Sequence, residues 1–78
     1  MYQAHACMPD GSWRYLASFN DVEDAKTACA LLWNKGELQN GDHWPVRFVF
    51  PRDRDAMDGI LASDGTFAIH SGEPEGGS

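Results

Sequence analysis

Three histidines and two cysteines are the residues of this 78-residue chain best suited to hold a metal or to activate a nucleophile. His5 and Cys7 stand two apart, so on a strand they share a face, and His70 lies on a segment that can neighbour them. With His43 they would supply the four nitrogen and sulfur donors of a tetrahedral zinc site. The spacing matches no zinc pattern, however, and nothing local gathers the four, so strand-facing polar residues are expected and no metal is assigned. Cys7 beside His5 makes a thiol–imidazole pair without a third group to orient the base. Ser12, Ser18, Ser63 and Ser71 lie in no G-x-S-x-G context, and Gly59 and Gly65 are turn glycines rather than a phosphate cradle. Asp53, Asp55 and Asp58 alternate with Arg52 and Arg54, which predicts local ion pairing on a solvated loop. The run also lacks the closing Glu of a calcium loop. A sheet covered by one helix offers little room for a substrate cleft. The expectation is a protein with no catalytic residue and no cofactor.

Surfaces are the more informative part. Twelve acidic side chains oppose six basic ones, a formal net charge of −6. That balance argues against nucleic acid and against an anionic membrane, both of which require Lys and Arg. It suits a basic protein surface, where complementary charge speeds and orients encounter. The acids fall in two groups, Asp21, Glu23 and Asp24 near a helix start, and Asp53, Asp55 and Asp58 after a strand. If the two groups share a side, they imitate a row of phosphates. Of three tryptophans, Trp13 and Trp33 fit apolar faces, and Trp44 beside Pro45 is the one expected to be exposed as an interface anchor. The expected partner-binding residues are therefore Asp21, Glu23, Asp24, Trp44, Asp53, Asp55 and Asp58.

These residues must be positioned by elements that the patterning predicts. Tyr2, Ala4, Ala6 and Met8 alternate with Gln3, His5 and Cys7, the period of a half-buried strand. After the turn signal Pro9-Asp10-Gly11-Ser12, Trp13, Tyr15, Ala17 and Phe19 alternate with Arg14, Leu16 and Ser18, so a hairpin is expected. Asn20 or Asp21 is a helix cap, with Glu23 at capping-box spacing from Asn20. Val22, Ala25, Ala28, Cys29, Leu32 and Trp33 then form one apolar stripe, closed by Lys35 and Gly36. A loop over Glu37 to His43 leads into a strand carrying Val46, Phe48 and Phe50, closed by Pro51. A helical turn is expected before Asp58, and Ile60 to Ser63 with Thr66 to His70 flank Asp64-Gly65 as a second hairpin. Residues 1–71 thus read as one α+β domain of two layers, and 72–78 as a disordered tail. The sheet is expected to be antiparallel, with four to five strands in a ββαββ-like order and the helix on one face. Its second face, bearing some of His5, Cys7, Arg14, Leu16, Arg47 and Val49, is expected to be open to a partner or a second copy. Cys7 and Cys29 are too few for a disulfide scaffold, and reduced cysteines in a cytoplasmic protein are expected. The opening nine residues lack the basic start and apolar run of a signal peptide, and no apolar run is long enough for a membrane span.

The hairpin, then Phe19-Asn20-Asp21-x-x-Asp24-Ala25 entering a short helix, then strands ending in Asp64-Gly65-Thr66-Phe67, resembles in layout small acidic proteins of phages and mobile elements, including several anti-CRISPR proteins. The likeness spans about residues 2–70, is one of size, charge and layout, and brings no motif that transfers a functional residue. It implies a non-enzymatic inhibitor that blocks a nucleic-acid-binding surface of a host nuclease complex. The rival readings are a small self-associating accessory or antitoxin-like module, dimeric through the open sheet face, and a metal- or thiol-dependent enzyme built on His5, Cys7 and His70.

Overall fold

A computed structural model of the protein describes residues 1–34, 47–63 and 65–72. The expected helix stop at Lys35–Gly36, the loop with His43, the strand entrance at Trp44–Pro45, Val46, Asp64 and the tail beyond Gly72 lie outside the described residues. The elements run β1 (Tyr2–Cys7), β2 (Trp13–Phe19), α1 (Val22–Asn34), β3 (Arg47–Val49), a 3-10 helix (Asp55–Gly59) and β4 (Thr66–Ser71). One sheet holds the strands in the order β2-β1-β4-β3, so the first and last strands in sequence sit together at its centre. The expected α+β class, with one helix packed on the sheet, is the observed one.

The first hairpin closes as its turn residues predict. Gly11 donates its N–H to Met8 O at 2.8 Å and adopts φ +91°, a conformation that favours glycine. Asp10 Oδ1 accepts from Ser12 N at 2.9 Å and Ser12 Oγ at 2.6 Å, pinning the turn from outside. Asp21 rather than Asn20 caps the helix, its Oδ1 accepting from Glu23 N at 2.9 Å.

The apolar stripe of α1 lies on the face formed by Ala4, Ala6, Phe67 and Ile69, with Ala25, Cys29 and Trp33 buried against it. Small residues in β1 and at Ala25 let helix and sheet approach closely, and Phe67 fills the centre. Its ring meets Trp33 edge-on at 6.2 Å and Phe48 at 5.8 Å.

Four expectations need correction. The strand pairing is antiparallel for β1–β2 and β1–β4 but parallel for β3–β4. A parallel pair needs a crossover, so the chain between Val49 and Thr66 cannot form a tight hairpin. Ile60–Ser63 is accordingly no strand, and the turn there ties itself locally, with Thr66 N donating to Ser63 O at 2.9 Å. Asp64-Gly65 precedes a strand whose neighbours are β1 and β3 instead.

The third correction is that the second sheet face is not open. Gln3, His5, Cys7 and His70 are buried, and Met57 of the 3-10 helix is 1% exposed. The crossover therefore serves as a thin third layer, opposite the helix. The fourth correction concerns β2. Ala4 pairs with Ala17, but the next residue His5 pairs with Tyr15, leaving Leu16 as an inserted bulge residue. A bulge reverses side-chain parity along a strand. Leu16 packs with Phe19 against the helix-side core, while Tyr15 meets His5 on the far face. Trp13, expected on the helix side, goes with Tyr15.

Phe67→Ala removes the ring that joins helix, β3 and sheet. It should lower unfolding free energy by about 3–5 kcal/mol in a urea titration, against a smaller loss for Phe67→Leu.

Candidate functional site

The histidines come together under the crossover. On the face away from the helix, His5 from β1 stacks on His70 from β4, with ring centroids 5.2 Å apart and planes inclined by 20°. Tyr15 of β2 approaches His5 edge-on at 5.4 Å, so three rings cross three strands in a row. The bulge at Leu16 is what puts Tyr15 there. Arg54, just before the 3-10 helix, reaches to His5 Nε2, with Nη1 at 3.1 Å. A guanidinium nitrogen can only donate, so Nε2 accepts and the His5 proton resides on Nδ1. His5 is thus a neutral imidazole, with none of its surface exposed. His70 Nδ1 lies 3.4 Å from Ser71 O, and its buried Nε2 has no hydrogen-bond partner among the described residues.

This row is suited to packing rather than turnover. Both imidazoles are shut away from solvent, and His5 is committed to Arg54. Near-parallel rings direct their in-plane lone pairs side by side instead of converging on one ion. Among the described residues, no group of three His, Cys, Asp or Glu side chains could hold a metal. Cys7 donates weakly to its neighbour Met8 O at 3.6 Å. Cys7 and Cys29 are both buried, form no disulfide with each other, and lie on opposite sides of the sheet. Burial pushes the Cys29 thiol up to about 12, leaving it almost wholly protonated at neutral pH.

The acidic groups are placed differently. Asp21, Glu23 and Asp24 sit exposed at the start of α1, on the helix layer. Glu23 pairs with Lys26 at 3.5 Å, and Lys26 in turn stands 5.8 Å over the Phe48 ring. Asp53, Asp55 and Asp58 belong to the crossover on the other side of the sheet. They do not join the helix acids into one row on one face. Asp53 has a structural task, since its Oδ1 accepts from Ala56 N at 2.9 Å and its Oδ2 meets Arg52 Nε at 3.1 Å. The Ala56 hydrogen bond, helped by Arg52, holds its carboxyl below the ordinary value of 3.8. The Ser12 hydrogen bonds do the same for Asp10. Asp21, Asp24, Asp55 and Asp58 are exposed and have no ion pair among the described residues. Trp44, the expected apolar anchor, lies outside the described residues.

A cleft that sequence reasoning missed opens where the β1–β2 turn meets the crossover, with a volume of about 550 Å3. Trp13, Arg54, Met57, Asp58, Ile60 and Leu61 contribute to its lining. Its sequence signal was the apolar group Met57, Ile60, Leu61 and Ala62 following the charged run Arg52–Asp55.

Two outcomes follow from these environments. Ellman's reagent at mildly alkaline pH should modify Cys29 roughly a hundredfold or more slowly in the native protein than in denaturant, with mass spectrometry locating the modified thiol. Asp10 and Asp53 have lowered folded values, so their stabilisation is present above 3.8 and lost as pH falls through those values. The Asp10→Ala/Asp53→Ala variant should melt lower than the parent at neutral pH, and the gap should narrow when melting is followed down to about pH 2.

No protein-family model, no curated protein and no solved structure matches this chain.

Proposed function

We propose that this chain is a non-enzymatic protein that acts by stoichiometric binding to a basic partner surface. In its specific form it is a phage-type anti-CRISPR or anti-defence inhibitor, acting in the host cytoplasm by covering the nucleic-acid-binding surface of a nuclease complex. The observation that carries this reading is the set of exposed carboxylates at Asp21, Asp24, Asp55 and Asp58, which have no ion pair among the described residues, in a chain of net charge −6. Such charge attracts a cationic protein surface and repels nucleic acid and anionic lipid. No described helix is long and apolar enough to cross a membrane. Burial of His5, His70, Cys7 and Cys29 weighs against the rival metal- or thiol-dependent enzyme.

The self-associating reading finds support in a different place from the one expected. With the crossover over the second face, a second copy would pair along β2, a seven-residue edge strand. Sedimentation measures that directly: a dimer dispersed by a proline at an outward β2 position would favour it over a monomeric inhibitor.

The two acidic groups occupy opposite layers, so one flat partner reads one of them. Tagged protein should retain a basic nucleic-acid-binding complex from a lysate containing a CRISPR effector, release it at high salt, and exclude its nucleic acid. Reversing one group, either Asp21→Lys/Asp24→Lys or Asp55→Lys/Asp58→Lys, should abolish retention, while reversing the other leaves it nearly intact. Retention indifferent to both reversals would refute the acidic-docking reading.

A further inference from the structure

We infer that Arg54 and His5 form a pH-sensitive latch, through which mild acid frees the 3-10 helix from the sheet. The covering layer is thin. Met57 is the buried side chain of the 3-10 helix, and Arg54 at its N-terminal end places Nη1 3.1 Å from His5 Nε2. Arg54 is itself an exposed residue, whereas His5 is fully buried. The contact requires a lone pair on Nε2, because a guanidinium donates and never accepts. Proton uptake by His5 fills that lone pair. Two N–H donors and two positive charges would then face each other at 3.1 Å, one of them on a ring closed to water. A buried imidazolium and a seated Arg54 therefore exclude each other.

The described groups around His5 sharpen this conflict. Tyr15 meets it from β2 at 5.4 Å, His70 stacks on it from β4 at 5.2 Å, and Gln3 and Cys7 flank it on β1. None of these is a carboxylate. On the crossover, Asp53 is engaged by Ala56 N and Arg52, and Asp55 and Asp58 are exposed. An unfolded or released histidine takes up its proton near about pH 6.5. The latched state refuses that proton, so below about pH 6.5 the released state binds more protons and latching is lost as pH falls. For one excluded proton, the ratio of released to latched molecules rises roughly tenfold per pH unit between about pH 6 and 4.5. That window lies above the ordinary carboxyl value of 3.8, below which Asp10 and Asp53 are affected. Release is local, because the core of Ala4, Ala6, Ala25, Trp33, Phe67 and Ile69 lies on the other face of the sheet and does not involve the latch.

The test is an NMR titration of the full chain carrying 13C-methyl methionine and 15N label. With three methionines in the chain, the Met57 methyl is readily separated from those of Met1 and Met8. Between about pH 7.5 and 4.5 it should move to its position in denaturant, in step with the imidazole Cε1–H shift of His5, while the Ala25 amide stays native. His5→Gln keeps an oxygen to accept from Arg54 and removes the titrating proton. Arg54→Gln, at an exposed position that does not threaten folding, supplies an amide that donates to the neutral ring and accepts from the protonated one. Each variant should hold Met57 in place across the whole range. If His5→Gln does not fold, Arg54→Gln decides alone. A Met57 methyl that stays native down to about pH 4.5 in the parent, or moves equally in both variants, would overturn the latch. So would loss of the Ala25 signal together with that of Met57, which is whole-chain unfolding.

Discussion

Two central strands with both faces buried impose the constraint on which the structure depends. β1 and β4 carry side chains on each face that are withdrawn from water, from Ala4, Ala6, Phe67 and Ile69 on one side to Gln3, His5, Thr66 and His70 on the other. A single helix covers one of those faces. The other must be covered by whatever chain is left, and only the connection between Val49 and Thr66 is available among the described residues. Its course follows from that need. The connection crosses the sheet, seats Met57, brings Arg54 to His5, and delivers β4 parallel to β3.

The polar character of the second face then becomes intelligible. A thin covering layer cannot supply a large apolar surface, so polar rings are buried beneath it and meet one another by ring contact, with His70 Nε2 left without a hydrogen-bond partner among the described residues. His5 sits at the centre of this arrangement, stacked on His70, touched by Tyr15 and held neutral by Arg54. Residues that look like catalytic or metal-binding material in the sequence are thereby used as core. What is exposed lies elsewhere, in the carboxylates of the surface and in the cleft that the crossover leaves at the turn.

The bulge at Leu16 links these two layers. Without an inserted residue, Trp13 and Tyr15 would follow Ala17 and Phe19 onto the helix side. With it, Leu16 and Phe19 contribute to the helix-side core, while Tyr15 joins the histidine row and Trp13 walls the cleft. One extra residue thus divides β2 between the two faces of the sheet.

Local signals were sufficient for much of the fold. The alternation through Tyr2–Met8, the Asp10-Gly11 turn, the Asp21 cap and the stripe from Val22 to Trp33 each depend on neighbours within a few residues, and each element formed where the pattern indicated. The same holds for the one-helix α+β class and for the excess of exposed carboxylate. What the sequence could not decide was everything set by contacts distant along the chain. The parallel β3–β4 pairing, the lid over His5, the parity reversal at Leu16, and the separation of the acidic groups onto opposite layers all depend on which strand lies beside which. An Asp-Gly pair marks a turn equally well before a hairpin or at the end of a crossover, and a histidine on a strand has the same spacing whether solvent or a 3-10 helix lies above it. Those choices were made by the requirement that both faces of β1 and β4 be covered at once, a property of the assembled sheet and of no segment within it.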